Sequence, residues 1–331
     1  MSAARDPTAE PRTAAARRPA DRRPGSVTRS QVETLAAACR RRRGRTVEKP
    51  DGLETRRLSV PESGRRLSAP ENCEDLEKIH PSINDINTLI SLNVNGCSKL
   101  KELPLGVGRM EELRELLSND TMIREIPIAG EIEELPESIG SLKKLKTLDA
   151  SYCHSLACIP SSIGHVASLS LLDLTGCDKF AQLPDTIGSL TSLQSVLLSE
   201  CHSMREMPDS IEKLESLTEL HLKYTAFEEL PEFIGSLKKL ETLDASYCAS
   251  LARIPSSIDH LASLSLLDLR GCNKLAQLPD TIGSLTSLGT LLLSKCHSLR
   301  ETSDSIGKLE SLINLGLQST SFEKLPNFIG S

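Results

Sequence analysis

From Leu89 onward the chain repeats itself at a nearly fixed interval. Blocks of the general form Leu-x-x-Leu-x-Leu-x-x-Cys/Thr begin at Leu89, Leu113, Leu145, Leu169, Leu193, Leu217, Leu240, Leu264, Leu288 and Leu312. Their spacings are 24, 32, 24, 24, 24, 23, 24, 24 and 24 residues. A period of this length in registered copies confines the chain to a solenoid, with one coil per repeat. The 32-residue interval holds an insertion in which Ile126-Pro127 and Leu135-Pro136 look like a duplicated half-repeat.

Each copy reads the same way, and the spacing is that of a leucine-rich repeat. In Leu169-Ser170-Leu171-Leu172-Asp173-Leu174 a short strand turns Leu169, Leu172 and Leu174 inward and its other side chains toward a concave face. Cys177, Phe180, Leu183-Pro184, Ile187-Gly188 and Leu190 complete the coil on the convex side. Pro184 forbids a long helix there, so irregular or 3₁₀ structure is expected. Aromatics make up only 2% of the chain and Trp is absent, as suits a thin core built as a ladder of Leu and Ile. The expected architecture is an α/β repeat solenoid over residues 73–331. It is a leucine-rich-repeat horseshoe of about ten 23–24-residue coils, with a concave parallel β-sheet and uncapped ends. Solenoids ordinarily need polar end caps, so those ends imply a longer parent chain or a pairing partner.

A longer period overlies the short one. Residues 145–236 align without gaps on 240–331, and 68 of the 92 positions are identical. Five positions per repeat flank the inward leucines, which makes 20 over four repeats, and 10 of these differ. The remaining 72 positions hold 14 differences. Exposed positions drift because packing restrains them little, but a diversifying binding face gives the same excess. Thr218, Glu219, His221, Lys223 and Tyr224 all differ from Ile313, Asn314, Gly316, Gln318 and Ser319. The candidate partner-binding residues on the concave face are therefore Asp149, Tyr152, Glu200, Glu219, His221, Lys223, Tyr224, Asp244, Tyr247, Arg270 and Lys295. Tyrosine offers contact area at low entropic cost, and the charges offer specificity.

Seven cysteines occupy one repeat slot: Cys97, Cys153, Cys177, Cys201, Cys248, Cys272 and Cys296, with Thr121, Thr225 and Thr320 in the same slot of other coils. A small side chain turned inward there can bond the loop's free backbone groups, which makes these buried structural thiols of a reducing compartment. Cys153-His154, Cys201-His202 and Cys296-His297 are adjacent pairs that point different ways on a turn, so no metal site is assigned. Cys39, Cys73 and Cys158 receive no role. The Gly-x-x-x-x-Gly-Lys-Ser/Thr loop, Gly-x-Ser-x-Gly, His-Glu-x-x-His and the kinase motif set are all absent from the sequence. Asp149, Asp173, Asp244 and Asp268 align in one column, but the repeat places them there without any call for catalysis. No enzyme activity, small-molecule substrate or cofactor is expected.

Residues 1–72 are a different material. They hold 17 Lys/Arg against 9 Asp/Glu, while the remainder holds 22 against 36, giving the overall net charge of -6. Rich in Arg, Ala, Pro and Ser, this segment cannot bury enough apolar surface to offset its ordering entropy and reads as a disordered basic tail. A short helix around Gln31–Arg43 is compatible with its composition, and Arg40-Arg41-Arg42-Arg43-Gly44-Arg45 resembles a nuclear address or a weak nucleic-acid patch. Asp6, Glu10 and Asp21 argue against an organelle transit peptide, and no apolar h-region of a secretory signal precedes them. Arg56-Arg57-Leu58-Ser59-Val60-Pro61 recurs as Arg65-Arg66-Leu67-Ser68-Ala69-Pro70. Both copies resemble basophilic-kinase substrates and the phosphopeptides of 14-3-3-type readers, so Ser59 and Ser68 are phosphorylation candidates. No run approaches the 18 or so apolar residues of a membrane span, and Asn119-Asp120-Thr121 is the single glycosylation sequon. A cytoplasmic location follows, with the nucleus second.

Leu76-Glu77-Lys78-Ile79-His80-Pro81-Ser82-Ile83, Asn95-Gly96-Cys97-Ser98-Lys99-Leu100 and Leu113-Arg114-Glu115-Leu116-Leu117 followed by Thr121-Met122-Ile123 carry a family resemblance. Together with Leu-x-x-Leu-Pro-x-x-Ile-Gly-x-Leu they resemble the leucine-rich-repeat region of plant intracellular TIR–nucleotide-binding disease resistance proteins. In that family the region senses pathogen effectors and holds the receptor inactive, so the resemblance implies a protein-recognition module in defence signalling. It covers about residues 74–331 and neither a TIR nor a nucleotide-binding domain, so nucleotide switching is not implied. Type III secreted bacterial effectors with this repeat behind a polar N-terminus are the alternative, and a general intracellular scaffold is the other.

Overall fold

The computed structural model describes residues 66–69, 73–80, 83, 86, 88–124, 139–300 and 304–321. The predicted helix near residue 31, the basic run, Ser59 and the half-repeat insertion at 126–136 lie outside them. Eleven three-residue strands follow one another: β1 (Arg66–Ser68), β2 (Ser91–Asn93), β3 (Glu115–Leu117), β4 (Thr147–Asp149), β5 (Leu171–Asp173), β6 (Ser195–Leu197), β7 (Glu219–His221), β8 (Thr242–Asp244), β9 (Leu266–Asp268), β10 (Thr290–Leu292) and β11 (Asn314–Gly316). All pair in parallel with their sequence neighbours, in chain order, forming one open curved sheet. The register aligns the middle residue of each strand with its counterparts, as Leu148, Leu172, Val196 and Leu220 show.

The middle residue points inward and is buried, while its two neighbours face the concave side. Leu169, Leu172 and Leu174, expected inward, are all wholly buried. The convex side is 3₁₀, as the prolines require. Pro160, Pro184, Pro208, Pro231, Pro255 and Pro279 stand at the N-caps of five-residue 3₁₀ turns, each with φ near -70°. Bonds of the i to i+3 type carry the chain onward: Ile163 N–H donates to the Pro160 carbonyl, Val166 to Ile163 and Leu169 to Val166. No α-helix occurs among the described residues.

One boundary moves. Residues 66–68 were expected in the basic tail, yet they form β1 and pair with β2, with Leu67 beside Leu92. Leu67, Cys73, Leu76, Ile79, Ile83 and Ile86 are buried as the core of an additional first coil. The sequence pattern misses it because this coil offers only one strand leucine, between Arg66 and Ser68. Ser68 is exposed, but it belongs to that edge strand. A reader of extended phosphopeptides needs β1 to leave the sheet before it can seat Ser68.

The Cys/Thr slot ties coils together. Cys177 donates its thiol to the Ala150 carbonyl of the preceding coil at 3.2 Å, and Cys201 donates to Leu174, Cys272 to Ala245 and Cys296 to Leu269. Threonine in the slot closes its own turn instead, Thr225 Oγ1 donating to Leu222 at 2.6 Å. All seven slot thiols are free and buried, and Cys158 is free and exposed. Burial pushes the Cys97 and Cys296 thiols up to about 11 and Cys201 up to about 12.

Two predictions follow from this packing. Leu172→Ala, at a wholly buried site, is expected to cost about 2–5 kcal/mol, read as a fall in the urea midpoint, while Gln182→Ala on the exposed side stays within about 0.5 kcal/mol. The thiols also set an alkaline limit. An unfolded thiol ionises near pH 8.5–9, whereas Cys201 stays protonated to about pH 12, so its contribution is full below about pH 9 and is lost as pH rises toward 12. The slope of stability against pH between 9 and 10.5 should flatten by close to one proton in Cys201→Ser.

Candidate functional site

The sheet's concave side ends in one repeated turn. The residue immediately before each Cys/Thr slot has φ between 53° and 72°, in the left-handed region, in all ten coils. Glycine fills it at Gly96, Gly176 and Gly271, but Asp120, Tyr152, Glu200, Tyr224, Tyr247, Lys295 and Ser319 fill the rest. A non-glycine residue there costs about 1–2 kcal/mol and persists only where its surroundings dictate the conformation. Two sets of hydrogen bonds dictate it. The N–H of each turn residue from Gly96 to Lys295 donates to the next coil's carbonyl, as Tyr224 does to Ser246 and Tyr247 to Arg270. Ahead of the turn, an aspartate Oδ1 accepts the N–H two residues on: Asp149 from Ser151, Asp173 from Thr175, Asp244 from Ser246 and Asp268 from Arg270. The aspartate column thus has a turn-forming role. Desolvation pushes the Asp173 carboxyl above the usual carboxylate range, opposed by the Thr175 hydrogen bonds and assisted by Asp149.

The turn column carries all three tyrosines of the chain. Tyr224 and Tyr247 stack with ring centroids 4.9 Å apart and 24° between planes. Lys223 Nζ lies 5.0 Å from the Tyr224 centroid and 5.7 Å from that of Tyr247, and Lys295 Nζ also lies 5.7 Å from the Tyr247 centroid. Tyr247 leans over Gly271, where a Cβ would meet its Cδ1 at 2.6 Å, and Tyr152 leans over Gly176 in the same way. Arg270 grips Asp268 in a bidentate pair, with Nη2 2.6 Å from Oδ2 and Nε 2.9 Å from Oδ1.

The structure therefore brings Lys223, Tyr224, Tyr247, Arg270 and Lys295 into one patch. Tyr152 and Glu200 share the column, Tyr152 over Gly176 and Glu200 one coil before Tyr224. His221 and Asp244 share a row with Asp149, and His221 Nδ1 lies 3.9 Å from an Asp244 oxygen. Glu219 stands apart at the opposite end of β7, accepting from Ser195 Oγ at 2.9 Å. Sequence reasoning missed the seats that Gly176 and Gly271 give the two tyrosines. The signal was present: both glycines lie one coil beyond a tyrosine in the same slot. It also missed a side ladder in which Asp178 lies 2.9 Å from His154 and 3.9 Å from His202. No group of three or more His, Cys, Asp or Glu among the described residues is arranged to hold a metal ion.

The family model "Leucine-rich repeat region" matches residues 123–222 and 211–324. The chain belongs to this leucine-rich-repeat family. Relatives include TMV resistance protein N of Nicotiana glutinosa, 32% identical over 100 residues, or 25% of this chain and 9% of that protein. Disease resistance protein RPP2A of Arabidopsis thaliana is 34% identical over 26% of this chain and 7% of its own length. The matches thus span less than a tenth of these relatives. Among solved structures, Toll in the Drosophila Toll–Spatzle complex aligns with a TM-score of 0.58 and 23% identity, over 73% of this chain and 31% of that one. A Listeria monocytogenes internalin aligns at 0.51 and 17%, over 80% and 84%. Both likenesses concern the fold.

The tyrosine seat is testable. Gly271→Ala is expected to destabilise by more than the roughly 1–2 kcal/mol of the left-handed turn, because the added methyl collides with Tyr247. In a double-mutant cycle with Tyr247→Ala the excess should vanish, read from urea midpoints.

Proposed function

We propose that the chain is a non-enzymatic protein-recognition module of plant disease-resistance type, which binds protein partners on its concave face in defence signalling. The observation that carries this reading is the half-exposed Tyr224–Tyr247 stack, set on turns in the left-handed conformation. Stacking covers these rings only in part, and half-exposed aromatic anchors with neighbouring charges are what recognition surfaces use. The relation to plant disease resistance proteins supports the defence assignment. Between the two duplicated units the flanking positions have diverged most, as a selected contact surface would. Cytosol is the compartment that suits seven free thiols at one structural slot, with the nucleus second. Ser59 and Ser68 remain candidates for a 14-3-3-type reader, the latter only after β1 detaches.

The test is affinity purification of the whole chain from plant leaf cells with mass spectrometry. It is run beside the variant carrying His221→Ala, Lys223→Ala and Tyr224→Ala, and beside a chain without residues 1–65. Partners retained by the shortened chain and lost by the triple variant, at unchanged thermal stability, are the expected result. Partners that survive the triple variant would remove recognition from this face, and partners lost with residues 1–65 would move it to the phosphoserine motifs.

A further inference from the structure

The concave patch has a chemical preference, and it rests on the recognition reading above. Lys223 and Lys295 have no carboxylate partner among the described residues, unlike Lys99 and Lys144, which pair with Asp75 and Glu112 at 2.8 and 2.6 Å. Their ammoniums are held by ring faces instead. Both lie 5.7 Å from the Tyr247 centroid, one reached from the coil before it and one from two coils beyond, so they stand within twice that distance of each other. The neighbouring Arg270 is neutralised by Asp268, whose side chain is only 5% exposed. Ring quadrupoles steady a cation without cancelling its charge, and two such cations beside phenol hydroxyls form a seat for anions. The duplication adds a second, independent observation. Tyr152 and Gly176 recur as Tyr247 and Gly271, yet Glu200 recurs as Lys295, so the same turn in the two units carries opposite charge.

We propose that Lys223, Lys295 and the Tyr224–Tyr247 stack recognise carboxylates on an extended acidic segment of a protein partner. Alternate residues of an extended chain put side chains on one face about 7 Å apart. Acidic residues at positions i and i+2 of such a segment are spaced within the bound that the Tyr247 ring sets on the two ammoniums. The charge match is local: residues 73–331 carry 36 acidic against 22 basic side chains, so bulk electrostatics would favour a basic ligand. Residues 1–72, with 17 basic against 9 acidic side chains, would attract acid as well, so loss of binding on replacing Lys223 and Lys295 is what assigns the preference to this face.

The experiment uses the full chain and a fluorescein-labelled nonapeptide alternating glutamate with serine, with a lysine–serine nonapeptide as counterpart, followed by anisotropy. Because the chain has three tyrosines and no tryptophan, its intrinsic emission reports on this column alone. The expected result is binding of the glutamate peptide that weakens with salt, alters tyrosine emission, and falls at least ten-fold in Lys223→Met with Lys295→Met. Glu200→Lys, which removes an acidic side chain one coil from Tyr224, should tighten that binding, and weaker binding would count against the proposal. Preference for the lysine peptide, absence of glutamate-peptide binding, or binding indifferent to the two lysine replacements would overturn the proposal. If the triple alanine variant still loses its plant partners while the glutamate peptide fails, recognition on this face stands and the acidic preference falls.

Discussion

No coil of this protein can bury its own apolar edge, and every other feature follows from that. A strand of three residues contributes one inward leucine, and the 3₁₀ turn opposite adds an isoleucine and a leucine. These are covered only when another coil lies on each side. The repeat interval is thus a packing constraint: the same inward positions must return in register, or a leucine meets a gap. The thiol-to-carbonyl bonds from Cys177, Cys201, Cys272 and Cys296 obey the same register.

This constraint frees the opposite surface. Since the core is served by the middle of each strand, flanking residues answer only to the turn. The turn asks for a left-handed residue and, in five of the coils, is closed by an aspartate or asparagine cap. Nothing in that demand specifies tyrosine, and three of the ten turns have glycine, the residue with the lowest backbone cost. Tyr152, Tyr224 and Tyr247 are therefore placed against local preference, with Gly176 and Gly271 leaving room for two of the rings. Backbone strain alongside half-exposed aromatic rings is the observation from which the proposed contact site is argued.

Much of this was legible in the sequence because periodicity encodes packing directly. The inward leucines, the 3₁₀ turns after each proline and the buried thiols follow from spacing and from proline's missing N–H. The first coil was not legible: Leu67 sits between Arg66 and Ser68, and a lone leucine carries no period. The site was legible as a set of exposed columns but not as a patch. Sequence placed Glu219 with Lys223 and Tyr224, whereas the strand separates Glu219 to its far end and brings Lys295 in from three strands away. Pairing across coils, rather than along the chain, decides which side chains meet.

On the proposed reading, partners bind the turn column at the end of the strands. Hydrogen–deuterium exchange of the whole chain, with and without a protein captured from leaf cells, tests it most directly. Added protection should concentrate in the turns around residues 223–224, 246–247 and 270–271, with the 3₁₀ turns after Pro231, Pro255 and Pro279 unchanged. Protection confined to those 3₁₀ turns would place recognition on the convex side and contradict it.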